Sequence, residues 1–223
     1  LLRNETTKLF YNEYAYRLSM RTIVAPIFRD RTLNYARQRL DTWREAAKRN
    51  EKPMLYRYHS HTTVPRDEIY FGLKLLRELQ RAPAKYSYRV EADSFNMFTN
   101  NKQWLVDLQN RFSKHVVEFS EPKNVKVLES DTEITKIKGY DYKVTLKWTG
   151  KTYKEFGEWC QHNKQLIRLT PSLKKSLNIP DTDITGRYFY VKNSNTLMLV
   201  NLFVSDAIRS VKRLIHENDV LNN

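Results

Sequence analysis

Five times in this chain a tyrosine is followed two residues later by another: Tyr14/Tyr16, Tyr56/Tyr58, Tyr86/Tyr88, Tyr140/Tyr142 and Tyr188/Tyr190. Together these pairs use ten of the 14 tyrosines. A spacing of two puts both rings on one face of an extended strand, and tyrosine favours strands, so each pair marks a strand with an aromatic face. Three pairs run directly into a base and an aliphatic residue (Arg17-Leu18, Arg89-Val90, Lys143-Val144), and Arg57 lies inside a fourth. The intervals between pairs are irregular, which excludes a short regular repeat and leaves a duplicated unit open.

Between these strands the hydrophobic period changes to that of helices. Leu33, Ala36, Leu40, Trp43 and Ala47 predict a helix that Asp30 can cap and that runs to about Arg49. Ile69, Leu73, Leu76 and Leu79 predict a second, entered at Pro65 and ending near Arg81. Residues 9–24 alternate as a strand, a short strand is expected at 55–59, and segments 86–91 and 95–99 read as a hairpin. Asn100 can cap a third helix bearing Trp104, Leu105 and Leu108, followed by a strand at 116–119. In the second half we expect a strand at 140–148, a helix at 153–160, a short helix from Thr170-Pro171 to Leu177, and a hairpin of 187–191 with 196–203. The last segment, 206–216, fits a helix with Ile208, Val211 and Ile215 inward, with strand alternation as the other reading. The fold class is therefore α+β, with mixed, mostly antiparallel sheet and five to six helices. Residues 1–120 and 140–223 are expected as two α+β parts. Residues 121–139, polar and weakly patterned, read as a linker or irregular excursion with at most a short strand.

Composition narrows the function classes. With 40% hydrophobic and 13% aromatic residues the chain has enough apolar surface to build a core, so it is no disordered basic tail. No apolar run is long enough to span a bilayer, and the polar start LLRNETTKLF is unlike a secretory signal. One cysteine, Cys160, excludes an internal disulfide framework and suits a reducing compartment. Its surroundings name no base that would activate it, so it reads as a buried structural thiol. The five glycines are isolated, which leaves no phosphate-binding glycine loop.

The net charge is +14, and residues 1–50 hold 11 bases against 5 acids. A charge this far from zero costs self-repulsion and points to a polyanionic partner. At helical spacing, Arg37, Arg44 and Lys48 form one basic stripe and Lys74, Arg77 and Arg81 another. Stripes on neighbouring helices could merge into one surface. Neither helix carries the exposed bulky apolar face that would enter a membrane, so no membrane partner is expected. The tyrosine pairs admit two readings: rings packed against helices and across strands, or exposed platforms for bases flanked by cations. The second reading names Tyr86, Tyr88 and Arg89 with Tyr140, Tyr142 and Lys143 as further contacts.

Two weaker constellations suggest a metal-dependent nuclease. His59-Ser60-His61 resembles the histidine-x-histidine core of rolling-circle initiator nucleases, although those place a bulky apolar residue where Ser60 stands. Asp131, Glu133 and Asp141-Tyr142-Lys143 approximate the clustered carboxylates and lysine of another metal-dependent class. Neither is specific, and no catalytic residue, metal or cofactor is assigned.

In general character, carried by LRNETTKLFYNEYAY at 2–16 and Tyr188-Phe189-Tyr190-Val191, the chain resembles the small basic proteins encoded by tailed bacteriophages. That resemblance implies action on viral or host nucleic acid, or on a host machine, in the bacterial cytoplasm, and it transfers no functional residue. The expectation is a non-enzymatic protein that binds nucleic acid, DNA or RNA. The alternatives are a viral accessory or structural protein with an acidic protein partner, and the nuclease.

Overall fold

The computed structural model describes every residue except Arg31, Tyr58, His59, Asn178, Pro180, Asp181 and residues 221–223. The chain forms two compact units: Leu1–Thr6 with Glu13–Lys123, and Thr7–Asn12 with Asn124–Asn223.

The first unit contains β1 (Leu2–Thr6), β2 (Tyr16–Arg21), α1 (Leu33–Lys48), β3 (Met54–Arg57), β4 (Ser60–Thr63), α2 (Arg66–Gln80), β5 (Tyr86–Glu91), β6 (Ser94–Thr99), α3 (Lys102–Arg111) and β7 (Val116–Pro122). Its sheet runs β1-β7-β2-β6-β5, with only the β1/β7 pair parallel. Strands β3 and β4 stand apart as a two-stranded hairpin between α1 and α2. Leu18 and Met20 on β2, Phe95 and Met97 on β6, and Phe119 on β7 face the helices. There they meet Leu40 and Trp43 of α1, Ile69, Leu75 and Leu79 of α2, and Leu105 and Leu108 of α3 in one buried core. This core is the helix-period and strand-period faces of the sequence joined.

The second unit contains β8 (Thr132–Thr135), β9 (Tyr142–Leu146), α4 (Lys154–His162), β10 (Ile167–Leu169), α5 (Pro171–Leu177), β11 (Tyr188–Val191), α6 (Ser194–Val204), β12 (Ile208–His216) and α7 (Glu217–Val220). Its sheet runs β8-β12-β9-β11-β10, again with one parallel pair, β8/β12. Numbered within its own sheet, each unit has the order 1-5-2-4-3. Without the first strand this is the antiparallel strand order of the ferredoxin-like βαββαβ arrangement, into which the second unit inserts α5 between β10 and β11. The equivalent strands β2 and β9 also match in type: Tyr-Ala-Tyr-Arg-Leu-Ser-Met at 14–20 and Tyr-Asp-Tyr-Lys-Val-Thr-Leu at 140–146. The fold is mixed α+β with mostly antiparallel sheets and seven α-helices among the described residues, one or two more than expected.

Four local expectations are corrected. The hairpin expected after Val191 is half helix: Asn193 Oδ1 accepts from the Thr196 amide at 2.9 Å and starts α6 instead of turning the chain. That helix is apolar nearly all round, with Met198 69% and Leu202 81% exposed, so its period was ambiguous. The last segment is strand β12, not helix. A bulge between Ile208 and Ser210 shifts the register, so Ile208 and Val211, three apart, both reach the core as they would on a helix. The third helix is capped by Asn101, whose Oδ1 accepts from Trp104 N at 3.0 Å. Asn100 instead ties the chain at Glu13 and Ala15. Helix α1 has Thr32, not Asp30, at its N-cap position, and among the described residues no side chain caps it.

Cys160 is buried on α4, and burial pushes its thiol up to about 12. On the sheet face opposite the first core, Arg17 pairs with Glu118, which also accepts from Asn4 Nδ2 at 2.7 Å and Ser120 Oγ at 2.8 Å. Burial raises the Glu118 pKa, but the two hydrogen bonds and the guanidinium outweigh it and hold the carboxyl below its ordinary value. A lowered carboxyl stabilises the fold above the unfolded value and loses that contribution as pH falls through the folded one. Glu118→Gln is therefore expected to be less stable than the native chain at neutral pH. The gap between their urea midpoints should narrow on acidification below the ordinary value of 4.5.

Candidate nucleic-acid interface

Helices α1 and α2 lie antiparallel. Near one end Arg37 Nη2 donates to Gln80 Oε1 at 2.7 Å, and near the other the Arg66 guanidinium reaches the Ala47 carbonyl and Asn50. Gly72 makes this close approach feasible. A Cβ there would stand 2.7 Å from Leu40 Cδ2 and 3.2 Å from Val24 Cγ2, both fully buried side chains.

The seam between the helices opens to a cleft of about 380 Å³. Arg37 and Arg44 line it from α1, Arg77 and Arg81 from α2, over Leu73 and Leu76, and Asp41 is the one acid lining it. Four of the six stripe residues thus converge, as merging of the two stripes would require. They are not equivalent. On α1, Arg44 is held by Asp41 at 3.1 Å and Glu45 at 3.3 Å, and Lys48 by Glu45 at 3.0 Å. The Lys48 ammonium, then Arg44, keeps the Glu45 carboxyl below its ordinary value. On α2, Lys74, Arg77 and Arg81 are exposed and have no acidic partner among the described residues.

A residue that sequence reasoning missed stands in the same line. Tyr70 is 53% exposed, four residues before Lys74, so Tyr70, Lys74, Arg77 and Arg81 form the outer crest of α2. Attention to paired tyrosines on strands hid a single one on a helix; the i, i+4 spacing to Lys74 was the available signal.

The paired tyrosines are mostly structural. Tyr88 is 7% exposed and stacks on Phe95 at 5.0 Å between centroids. Tyr86 meets Trp104 edge-on at 5.6 Å and donates its hydroxyl to the Leu79 carbonyl at 2.9 Å, so neither ring offers an open face for a base. Their neighbour Arg89 is exposed but paired with Glu91 at 2.7 Å. In the second unit Tyr140 and Tyr142 are half-buried, and Tyr140 leans on Tyr190 at 6.2 Å. Lys143 is spent on Glu133 at 2.7 Å and sits 4.4 Å over the Tyr188 ring. Tyr56, on the β3–β4 hairpin, is the described member of the pairs with an exposed ring, 61%, and lies 5.2 Å from His61 across the hairpin. Tyr58 and His59 lie outside the described residues. Asp131 sits at a turn with φ +60° and accepts from Asn12 at 2.6 Å, and Asp141 is exposed before β9. Among the described residues no three of His, Cys, Asp and Glu converge as metal ligands. Nor, among them, is any helix long and apolar enough to cross a membrane.

Two substitutions check this assignment. Gly72→Val should cost about 1–3 kcal/mol in urea unfolding, because Leu40 is fully buried and must shift. Tyr86→Phe should cost about 0.5–1.5 kcal/mol, the value of the hydrogen bond to Leu79, and leave any ligand affinity unchanged. Comparison with protein-family models, with characterised proteins and with solved structures finds no match to this chain.

Proposed function

We propose that the first unit binds nucleic acid, with the crest of α2 and the arginine cleft beside it as the contact surface. The observation that carries this reading is the set of unpaired cations. Lys74, Arg77 and Arg81 have no acid partner among the described residues, and Arg77 and Arg81 join Arg37 and Arg44 in a cleft lined by a single acid, Asp41. Like charges gathered this closely repel one another when the surface is empty, and a polyanion relieves the repulsion. Arginine dominates the cleft, and its planar fork matches phosphate oxygens in pairs. Tyr70 adds one exposed ring in line with the cations, the combination used to hold single strands by stacking and charge together. The resemblance to tailed-phage proteins would place this activity in a bacterial host. Glu45, which ties up Lys48 and part of Arg44, makes α1 the weaker contributor.

Affinity must then fall steeply with salt, since each neutralised phosphate releases counterions. For a single-stranded oligonucleotide, the plot of log affinity against log salt should have a negative slope. Changing Lys74, Arg77 and Arg81 together to Gln should make that slope shallower by about 2. The same changes lie on an exposed face and should leave the urea midpoint close to native. Weak binding that ignores salt, in the native chain, overturns the reading.

A further inference from the structure

A second cleft, of about 490 Å³, opens between α2 and the turn after α3, and among its lining cations stands His115. Its ring stacks on Phe71 at 3.8 Å between centroids with an interplanar angle of 19°, and its Nε2 lies 2.8 Å from Glu68 Oε1. Glu68 is itself held, because its other oxygen accepts from the Thr22 hydroxyl and from the Ile23 amide at 3.2 Å. A carboxylate only accepts, so Nε2 carries the proton, and in the neutral ring Nδ1 is left as a lone-pair acceptor. Nδ1 has no partner among the described residues and is not among their buried, unpaired polar atoms.

Around it the cleft is lined by Lys74, Lys114 and Arg111, with Asp67 as the opposing acid. Arg111 is already paired with Glu78, whereas neither lysine has an acid partner among the described residues. Tyr70 stands at the same opening, with its ring exposed. The complementary ligand carries an anion for the lysines, a hydroxyl or amine proton for Nδ1, and a flat face for Tyr70. The cleft volume is within the range that takes a single small ligand. Within a nucleic-acid backbone, the group that donates such a proton is the ribose 2′-hydroxyl, which DNA lacks.

We propose that this cleft holds one nucleotide of an RNA strand, with phosphate against Lys74 and Lys114 and the 2′-hydroxyl donating to His115 Nδ1. The proposal rests on the nucleic-acid reading above and adds to it a preference for RNA over DNA. Lys74 belongs to both surfaces, so a strand on the crest of α2 is already at the mouth of this cleft.

The test is fluorescence anisotropy with three single strands of one sequence: RNA, DNA and 2′-O-methyl RNA. The native chain should bind RNA about 3–10-fold more tightly than the other two, the worth of one net hydrogen bond. His115→Phe retains a ring to stack on Phe71 and should bring RNA down to the level of the 2′-O-methyl strand. Glu68→Gln, which can donate to Nε2 and so move the ring proton to Nδ1, should remove the difference between RNA and the 2′-O-methyl strand, whose 2′-oxygens both accept, while keeping the imidazole. Lys114→Gln should weaken all three strands alike. Equal binding of the three strands by the native chain overturns this proposal and leaves the nucleic-acid reading standing, as does a preference that survives His115→Phe. If no strand binds, both fall together.

Discussion

The contact of α1 with α2 at Gly72 governs the arrangement of charge in the first unit. Because Leu40 occupies the space a side chain would need, two helices that each carry a basic stripe come close enough to share a cleft. Burial of Leu40, Trp43, Ile69 and Leu75 holds them there at the expense of bringing Arg37, Arg44, Arg77 and Arg81 together. The hydrophobic gain is large for each side chain, while repulsion between exposed cations is screened, so apolar packing sets the geometry and the charges follow it. The two stripes differ in what they retain. On α1, Arg44 is spent on Asp41 and Glu45 and Lys48 on Glu45, partners one or three residues away on the same helix, whereas the α2 stripe has no acid partner among the described residues.

Each unit uses the same strand order, and the connection that matters for charge differs between them. In the first, the link between the second and third strands of the sheet is α1, a β-hairpin and α2; in the second, it is α4 alone. Both basic stripes and the exposed Tyr56 and Tyr70 belong to that longer connection. The equivalent cations Arg17 and Lys143, on the central strands β2 and β9, serve the sheets instead, each paired with a carboxylate.

Much of this was legible in the sequence, for stated reasons. Period-two tyrosines located the strands bearing Tyr16, Tyr86, Tyr142 and Tyr188, and three- and four-residue spacing located α1 and α2. The face each ring takes was not legible, because alternation says which residues share a side and not which side meets helices. Of the two readings open for Tyr86 and Tyr88, packed or exposed, burial against the first core decides for the packed one. Two segments failed for local causes. Asn193 can begin a helix as readily as a turn, and the bulge beside Ser210 turned strand alternation into helix-like spacing. The His115–Glu68 pair, 47 residues apart, could not be anticipated from spacing, since a tertiary contact alone brings an imidazole at the end of one helix to a carboxylate at the start of another.

Cys160 carries a consequence of a different kind. A thiol whose ionisation lies near 12 presents almost no thiolate at neutral pH, and the side chain is shut away on α4 as well. Towards alkylating reagents the native chain should behave as though it had no cysteine. The sulfur becomes reactive only when the second unit opens, so the rate of its modification measures how often that core exposes itself: a single internal clock with no background to subtract.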